Sequence, residues 1–400
     1  MIINPAKRTA EVQEYYFSKK LKEIDRLNGE RLASGQERII NLGIGAPDRM
    51  PPADAIKALQ DCAALAGSHA YQSYVGTPQL REAFARWYER YYNVSLDPSC
   101  EIQPLVGSKE GILLICLAFL NEGDKVLVPD PGYPTYTSAC KLAGAQIVNY
   151  DLEEQLGWQP DFEKLEQMDL EGVKIMWTNY PNMPTGGSAD MELYSRLVDF
   201  ARRHKILIVN DNPYSFILND QPLSILAVPG AKDCCMELNS LSKAHNMSGW
   251  RIGMLAGDKD MIQEVLKVKS QMDSGMFRPL QMAAVKALEQ GPEWFSALND
   301  EYRRRQKVAG EIFGLLDVSF RPESAGLFLW GRVPADHPLL GDDSSLSLGQ
   351  RLADAVLYRA GVFITPGFIF GKNGRDYVRI SLCADTATLE KAKQKISGIL

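Results

Sequence analysis

Lys243 lies in the segment Ser240-Leu241-Ser242-Lys243-Ala244-His245-Asn246-Met247-Ser248-Gly249-Trp250-Arg251-Ile252-Gly253. Serine hydroxyls precede the amine, and an arginine follows eight residues on. An amine in this setting can hold an aldehyde cofactor as an imine, while Ser240, Ser242 and Arg251 hold its phosphate. An ordinary surface lysine would leave those three neighbours unexplained. His245 also looks reactive, but a lysine can shuttle a proton unaided, so a packed histidine is the preferred reading.

Such chemistry needs a scaffold that brings distant segments together. β-type runs at 125–129, 146–150, 174–178, 206–210, 236–239 and 252–257 alternate with helical patterns at 111–120, 191–203 and 261–270. This alternation predicts an α/β layer with a mostly parallel sheet. Ligands of open α/β sheets bind at the carboxyl ends of the strands. Polar or aromatic clusters fall just past four of these runs: Asp130 to Tyr133, Asn179 to Asn182, Asp211 to Tyr214, and Ser240 to Lys243. Past residue 300 the pattern changes, with strands expected at 326–331 and 377–382 beside helices at 347–359 and 386–398. A smaller α+β domain is expected there. A helical stretch at 12–27 can join either domain or a partner chain.

The lysine segment, the Asp-x-x-Tyr motif at Asp211 to Tyr214 and the Pro-Thr-Gly run at Pro184 to Gly186 resemble those of class I/II pyridoxal-phosphate (PLP) aminotransferases of fold-type I. The resemblance spans roughly residues 40–382 and implies pyridoxal 5′-phosphate as the cofactor, bound to Lys243 as a Schiff base. It implies a large cofactor-binding domain over 46–300 and a small domain from 1–45 and 301–400. Each cluster then meets a need of the cofactor. The turn Gly107-Ser108-Lys109-Glu110, before a helix expected from Gly111, offers backbone N–H groups to the phosphate. Tyr133 suits stacking on the ring. Asp211 suits the ring nitrogen, and Tyr214 the ring hydroxyl. The resemblance further implies that Arg379 grips the substrate α-carboxylate as a fork and that the Gly45 backbone approaches it. It implies that Tyr71 reaches the phosphate of a neighbouring subunit, and hence a homodimer with shared active sites. Ser274 to Gln281 is similar to a stretch that approaches the partner's site, which makes Arg278 a candidate reader of a substrate side-chain carboxylate.

One position departs from the family pattern. Asparagine usually stands directly before Pro-Thr-Gly, but here Met183 does, and methionine cannot donate a hydrogen bond to the ring hydroxyl. Either Asn182 takes over by a small backbone shift or Tyr214 works without it, and Asn182 is the expectation. The expected reaction moves an amino group between an L-amino acid and a 2-oxo acid. A carbon–sulfur β-lyase is the alternative, because one cofactor serves several reactions.

Bulk properties narrow the rest. The chain has 400 residues and a formal net charge of −6, which disfavours a nucleic-acid surface. Seven cysteines include no Cys-x-x-Cys, and the four histidines lie far apart, so no metal is expected. No apolar run is long enough to span a bilayer, and no apolar signal core opens the chain, so a cytoplasmic enzyme is the expectation.

Overall fold

The computed structural model describes residues 2–400. The first strand, β1 (Ile40–Asn41), is followed by seven that form one sheet. They are β2 (Ile102–Leu105), β3 (Lys125–Asp130), β4 (Gln146–Asp151), β5 (Val173–Thr178), β6 (Leu207–Asp211), β7 (Cys235–Ser240) and β8 (Gly253–Ala256). Their order is β2-β8-β7-β6-β5-β3-β4. Neighbours from β7 to β4 pair in parallel, while β8 runs antiparallel to both β7 and β2. The mostly parallel sheet expected from the sequence is therefore present. β2 was not anticipated: four residues containing Pro104 make a weak signal. Its place at the sheet edge is one that proline tolerates.

Each central strand is apolar on both sides because helices cover both faces. Along β6, Ile208 points into one core cluster and Val209 into the other, the period-two alternation of a strand. The helices Ser108–Phe119 and Lys259–Lys269 pack on the Val209 side, with Ile112, Ile115, Ile262 and Val265 in that cluster. The helices Pro78–Tyr92 and Met191–His204 pack on the other side through Phe84, Trp87, Leu197 and Phe200. Each buried Leu, Ile or Phe here contributes about 1.5–3 kcal/mol, so the central strands are held from above and below.

The later chain forms a four-stranded sheet of β9 (Ser319–Phe320), β10 (Phe328–Arg332), β12 (Thr365–Pro366) and β13 (Tyr377–Ser381), ordered β12-β13-β10-β9. Between them β11 (Val362–Phe363) pairs in parallel with β1. The helix Tyr16–Ala33 buries Ile24 against Leu357 and Phe363, so the start of the chain packs on its end. The helix Pro292–Leu315 runs unbroken through residue 300, where a domain boundary was expected. The helix expected at 347–359 is Leu348–Ala355, continued by one wide turn over Val356–Ala360.

Candidate active site

A cavity of about 350 Å³ opens where β3, β5, β6 and β7 end. Tyr133, Asn179, Asp211 and Lys243 all line it, so all four polar clusters beyond the strand ends contribute. Lys243 donates from Nζ to the Gly45 carbonyl at 2.5 Å. Burial is the largest influence on its ammonium and lowers its pKa, with Arg379 and Arg251 adding repulsion.

Asp211, only 4% exposed, ends β6. Its Oδ2 accepts from Tyr136 Oη at 2.9 Å, and its Oδ1 is buried without any partner. Burial pushes its pKa up to about 7, opposed by the Tyr136 bond. Tyr136 is itself stacked on Trp177, with centroids 5.0 Å apart and planes 7° from parallel. Asn179 Nδ2 donates to the Asp211 carbonyl at 2.6 Å and fixes the strand end.

Ser240, Ser242 and Arg251 gather at the opposite wall. Ser240 Oγ donates to Ser242 Oγ at 2.8 Å, and Arg251 Nη1 donates to Ser242 Oγ at 3.3 Å and to the Ser248 carbonyl at 2.8 Å. Gly107 precedes the helix Ser108–Phe119 with φ +77°, a conformation that favours glycine. A Cβ there would lie 2.1 Å from Arg251 Nη2, so the turn and the guanidinium meet only because the residue is glycine. The helix begins at Ser108, three residues before the expected Gly111, so Ser108 and Lys109 are its first turn and their N–H groups face the cavity end.

Arg379, on β13, is 3% exposed and forms no salt bridge among the described residues. Its Nη2 donates to the Gly43 carbonyl at 2.7 Å, its Nη1 meets Met183 Sδ at 3.3 Å, and its Nε has no partner. The guanidinium lies 3.9 Å from the Phe328 ring centre, 4.7 Å from Phe370 and 5.6 Å from Phe17. Burial lowers its pKa to about 10, so it stays charged at neutral pH. A buried cation held among aromatic faces with an open edge is prepared for an anion.

The chain matches the family model described as aminotransferase class I and II over residues 37–396. It is 38% identical over 397 residues to the LL-diaminopimelate aminotransferase of Nitratidesulfovibrio vulgaris (strain DSM 19637 / Miyazaki F), covering 98% of each. It is 39% identical over 379 residues to that of Aquifex aeolicus (strain VF5), covering 94% of this chain and 95% of the other. Among solved structures, substrate-bound BacF from Bacillus subtilis superposes with a TM-score of 0.91 at 32% identity, covering 100% of this chain and 98% of that one. This chain is a class I/II aminotransferase.

The aminotransferase has the fold-type I architecture and uses pyridoxal phosphate, and these relatives give no support to the lyase alternative. Its cavity fits the cofactor on three structural grounds. Asp211 has a buried, unpartnered oxygen, the helix at Ser108 begins beside Arg251, and Lys243 lines the same cavity. Tyr214 also lines the cavity.

Three expectations need revision or placement. Asn182 does not line the cavity: its Oδ1 accepts from Thr185 Oγ1 at 2.7 Å, which commits it to the turn, and Asn179 and Met183 face inward instead. Tyr71 is 91% exposed, and Arg278 opens the helix Arg278–Leu288; neither lines the cavity of its own chain. Sequence reasoning also missed Tyr15 and Phe17, which close the cavity from the N-terminal side. No local signal marks them, although Tyr136, one turn beyond Tyr133, was within reach of helical spacing.

No helix among the described residues is long and apolar enough to cross a membrane.

Proposed function

We propose that this aminotransferase takes its amino group from an L-amino acid with a second carboxylate far from Cα, LL-diaminopimelate being the first candidate. One observation carries the reading: beyond Lys243 and Arg251, which the cofactor would take up, two more cations at different places line the same cavity without an anionic partner among the described residues. Arg379 lies among phenylalanines, and Lys109 sits with Nζ 4.9 Å above the Tyr15 ring. The names of the relatives at 38–39% identity support it.

Pyridoxal phosphate, when bound, supplies an aldehyde carbon for an amine and a ring that draws electrons from the substrate Cα. Lys243, its pKa lowered by burial, would hold that carbon through its amine, and the same amine would serve as the base that moves the proton at the substrate Cα. Asp211 holds the ring nitrogen in its protonated form. Tyr214 donates to the ring hydroxyl, with Met183 unable to assist. The first turn at Ser108, with Ser240, Ser242 and Arg251, holds the phosphate, and Tyr133 packs on the ring. Arg379 orients the α-carboxylate from a buried position.

Tyr71 and Arg278, outside the cavity of their own chain, would serve a second copy's site in a homodimer. Exposed Tyr71, Met272 and Phe277 are apolar surface suited to such a contact. A cytoplasmic setting is consistent with seven free cysteines.

The test is a panel of amino donors mixed with the loaded enzyme without acceptor, following loss of the cofactor's visible band and release of oxo acid. LL-diaminopimelate should react fastest, with glutamate ahead of alanine, and Lys109→Met should raise KM for the dicarboxylic donors alone. Equal reaction of alanine and LL-diaminopimelate would remove the reading.

A further inference from the structure

Glu237, on β7, is completely buried on the sheet face opposite the cavity, and it has no cationic partner among the described residues. Removing a carboxylate from water is costly unless its lone pairs are met by donors. Here neutral donors meet them: Tyr88 Oη at 2.9 Å on Oε1, and Asn210 Nδ2 at 2.9 Å with the Ile225 N–H at 3.2 Å on Oε2.

The bonds extend to three neighbouring strands. Asn210 Oδ1 accepts from Thr178 Oγ1 at 3.0 Å, so β5 is tied to β6. Asn239 Nδ2 donates to Tyr92 Oη at 3.2 Å and to Tyr88 Oη at 3.4 Å, and its Oδ1 accepts from the Ser240 N–H at 2.8 Å. Thr178, Asn210 and Asn239 each stand one residue before a cavity residue: Asn179, Asp211 and Ser240. Side chains alternate across a strand, so each cavity residue has its predecessor fastened on the far face.

We propose that Glu237 is a positioning residue: by fastening these three strand ends to one buried carboxyl, it sets where Asn179, Asp211 and Ser240 stand relative to one another. Its effect passes through the sheet and is carried by hydrogen bonding. This rests on the assignment of Asp211 and Ser240 to the cofactor.

The test compares Glu237→Gln with Glu237→Leu. Glutamine can accept from Asn210 and Ile225 while donating to the Tyr88 hydroxyl; leucine can do neither. The readouts are the pyridoxal-phosphate dissociation constant and the visible circular dichroism of the bound cofactor, which reports how rigidly its ring is held. Glu237→Leu should weaken binding about tenfold and flatten the dichroic band, and Glu237→Gln should restore both to within about twofold. Wild-type affinity and dichroism in Glu237→Leu would overturn the proposal, as would a glutamine variant as impaired as the leucine one. Should the leucine variant not fold, Thr178→Val cuts one bond of the network and Tyr88→Phe two, with about threefold weaker binding expected and no change in either overturning it. Asp211→Asn and Ser240→Ala run alongside: if both bind the cofactor as the wild type does, the site assignment fails instead.

Discussion

The Nζ of Lys243 and the carbonyl oxygen of Gly45 are 2.5 Å apart, although 198 residues separate them. The contact joins the end of β7 to the loop that follows β1. Behind that loop, Arg305 grips both oxygens of Asp48, at 2.8 and 3.0 Å, so Gly45 is held from the far side. A Cβ on Gly45 would come within 2.3 Å of Phe328 Cζ, and Phe328 is the ring nearest the Arg379 guanidinium. Gly45→Ala should therefore displace the carboxylate fork rather than the lysine. Steady-state kinetics should give a KM for the amino donor raised about tenfold, about 1.4 kcal/mol, with kcat changed far less.

Asp211→Asn keeps a hydrogen-bonding partner for Tyr136 but loses the charge. kcat should fall at least about 100-fold, roughly 2.7 kcal/mol, while the cofactor still binds but more weakly than to the wild type. The same variant reads the cost of burying the carboxyl. In the cofactor-free chain the Asp211 pKa stands at about 7 against an ordinary 3.8. The folded state thus favours the protonated form. That stabilisation is complete below pH 3.8 and is lost as pH rises to about 7. Relative to wild type, the cofactor-free variant should gain stability across that window and level off above it, as urea titrations at several pH values would register.

Arg379→Lys retains a positive charge but not a planar fork. A lysine would also forfeit the stacked position above Phe328. KM for every α-amino acid should rise by about 30-fold, about 2 kcal/mol, irrespective of side chain. A rise confined to dicarboxylic donors would place the α-carboxylate elsewhere.

His245 offers a prediction of opposite kind. It is fully buried, neither ring nitrogen has a partner, and Trp87 and Phe295 surround it at 6.1 and 5.6 Å. Burial lowers its pKa to about 3 from 6.5. An unfolded chain takes up that proton near pH 6.5 and the folded chain does not, so stability is lost as pH falls from 6.5 toward 3. His245→Phe should remove this acid sensitivity and add about 1 kcal/mol at pH 7. Turnover should stay within about twofold; a large loss would make His245 a participant in the chemistry.

Central strands were legible because β3, β5, β6 and β7 are short apolar runs that end in polar clusters, a pattern imposed by burial on both faces. β2 was not, since Ile102-Gln103-Pro104-Leu105 has too few residues for a period to emerge. The lysine segment and Asp211 stood out because each is a polar cluster set directly after an apolar strand, whereas Tyr214 and Arg379 were named only through the family resemblance. The orientation of Asn182 was not legible: it is buried, and only its turn bond to Thr185, made by the fold, keeps it from the cavity that Asn179 lines. The partners of Glu237 come from strands and helices far apart in the chain, so no local pattern announces them.

Tyr15 and Phe17 stand at the cavity where the helix Tyr16–Ala33 begins, whereas no residue of the C-terminal helix Thr386–Ser397 lines it. For anyone producing this enzyme, the two ends are therefore not equivalent. Trimming the chain back past Phe17 would take away that wall and distort measured specificity. An enzyme tethered through the helix Thr386–Ser397 keeps that wall, and the cavity behind it, untouched.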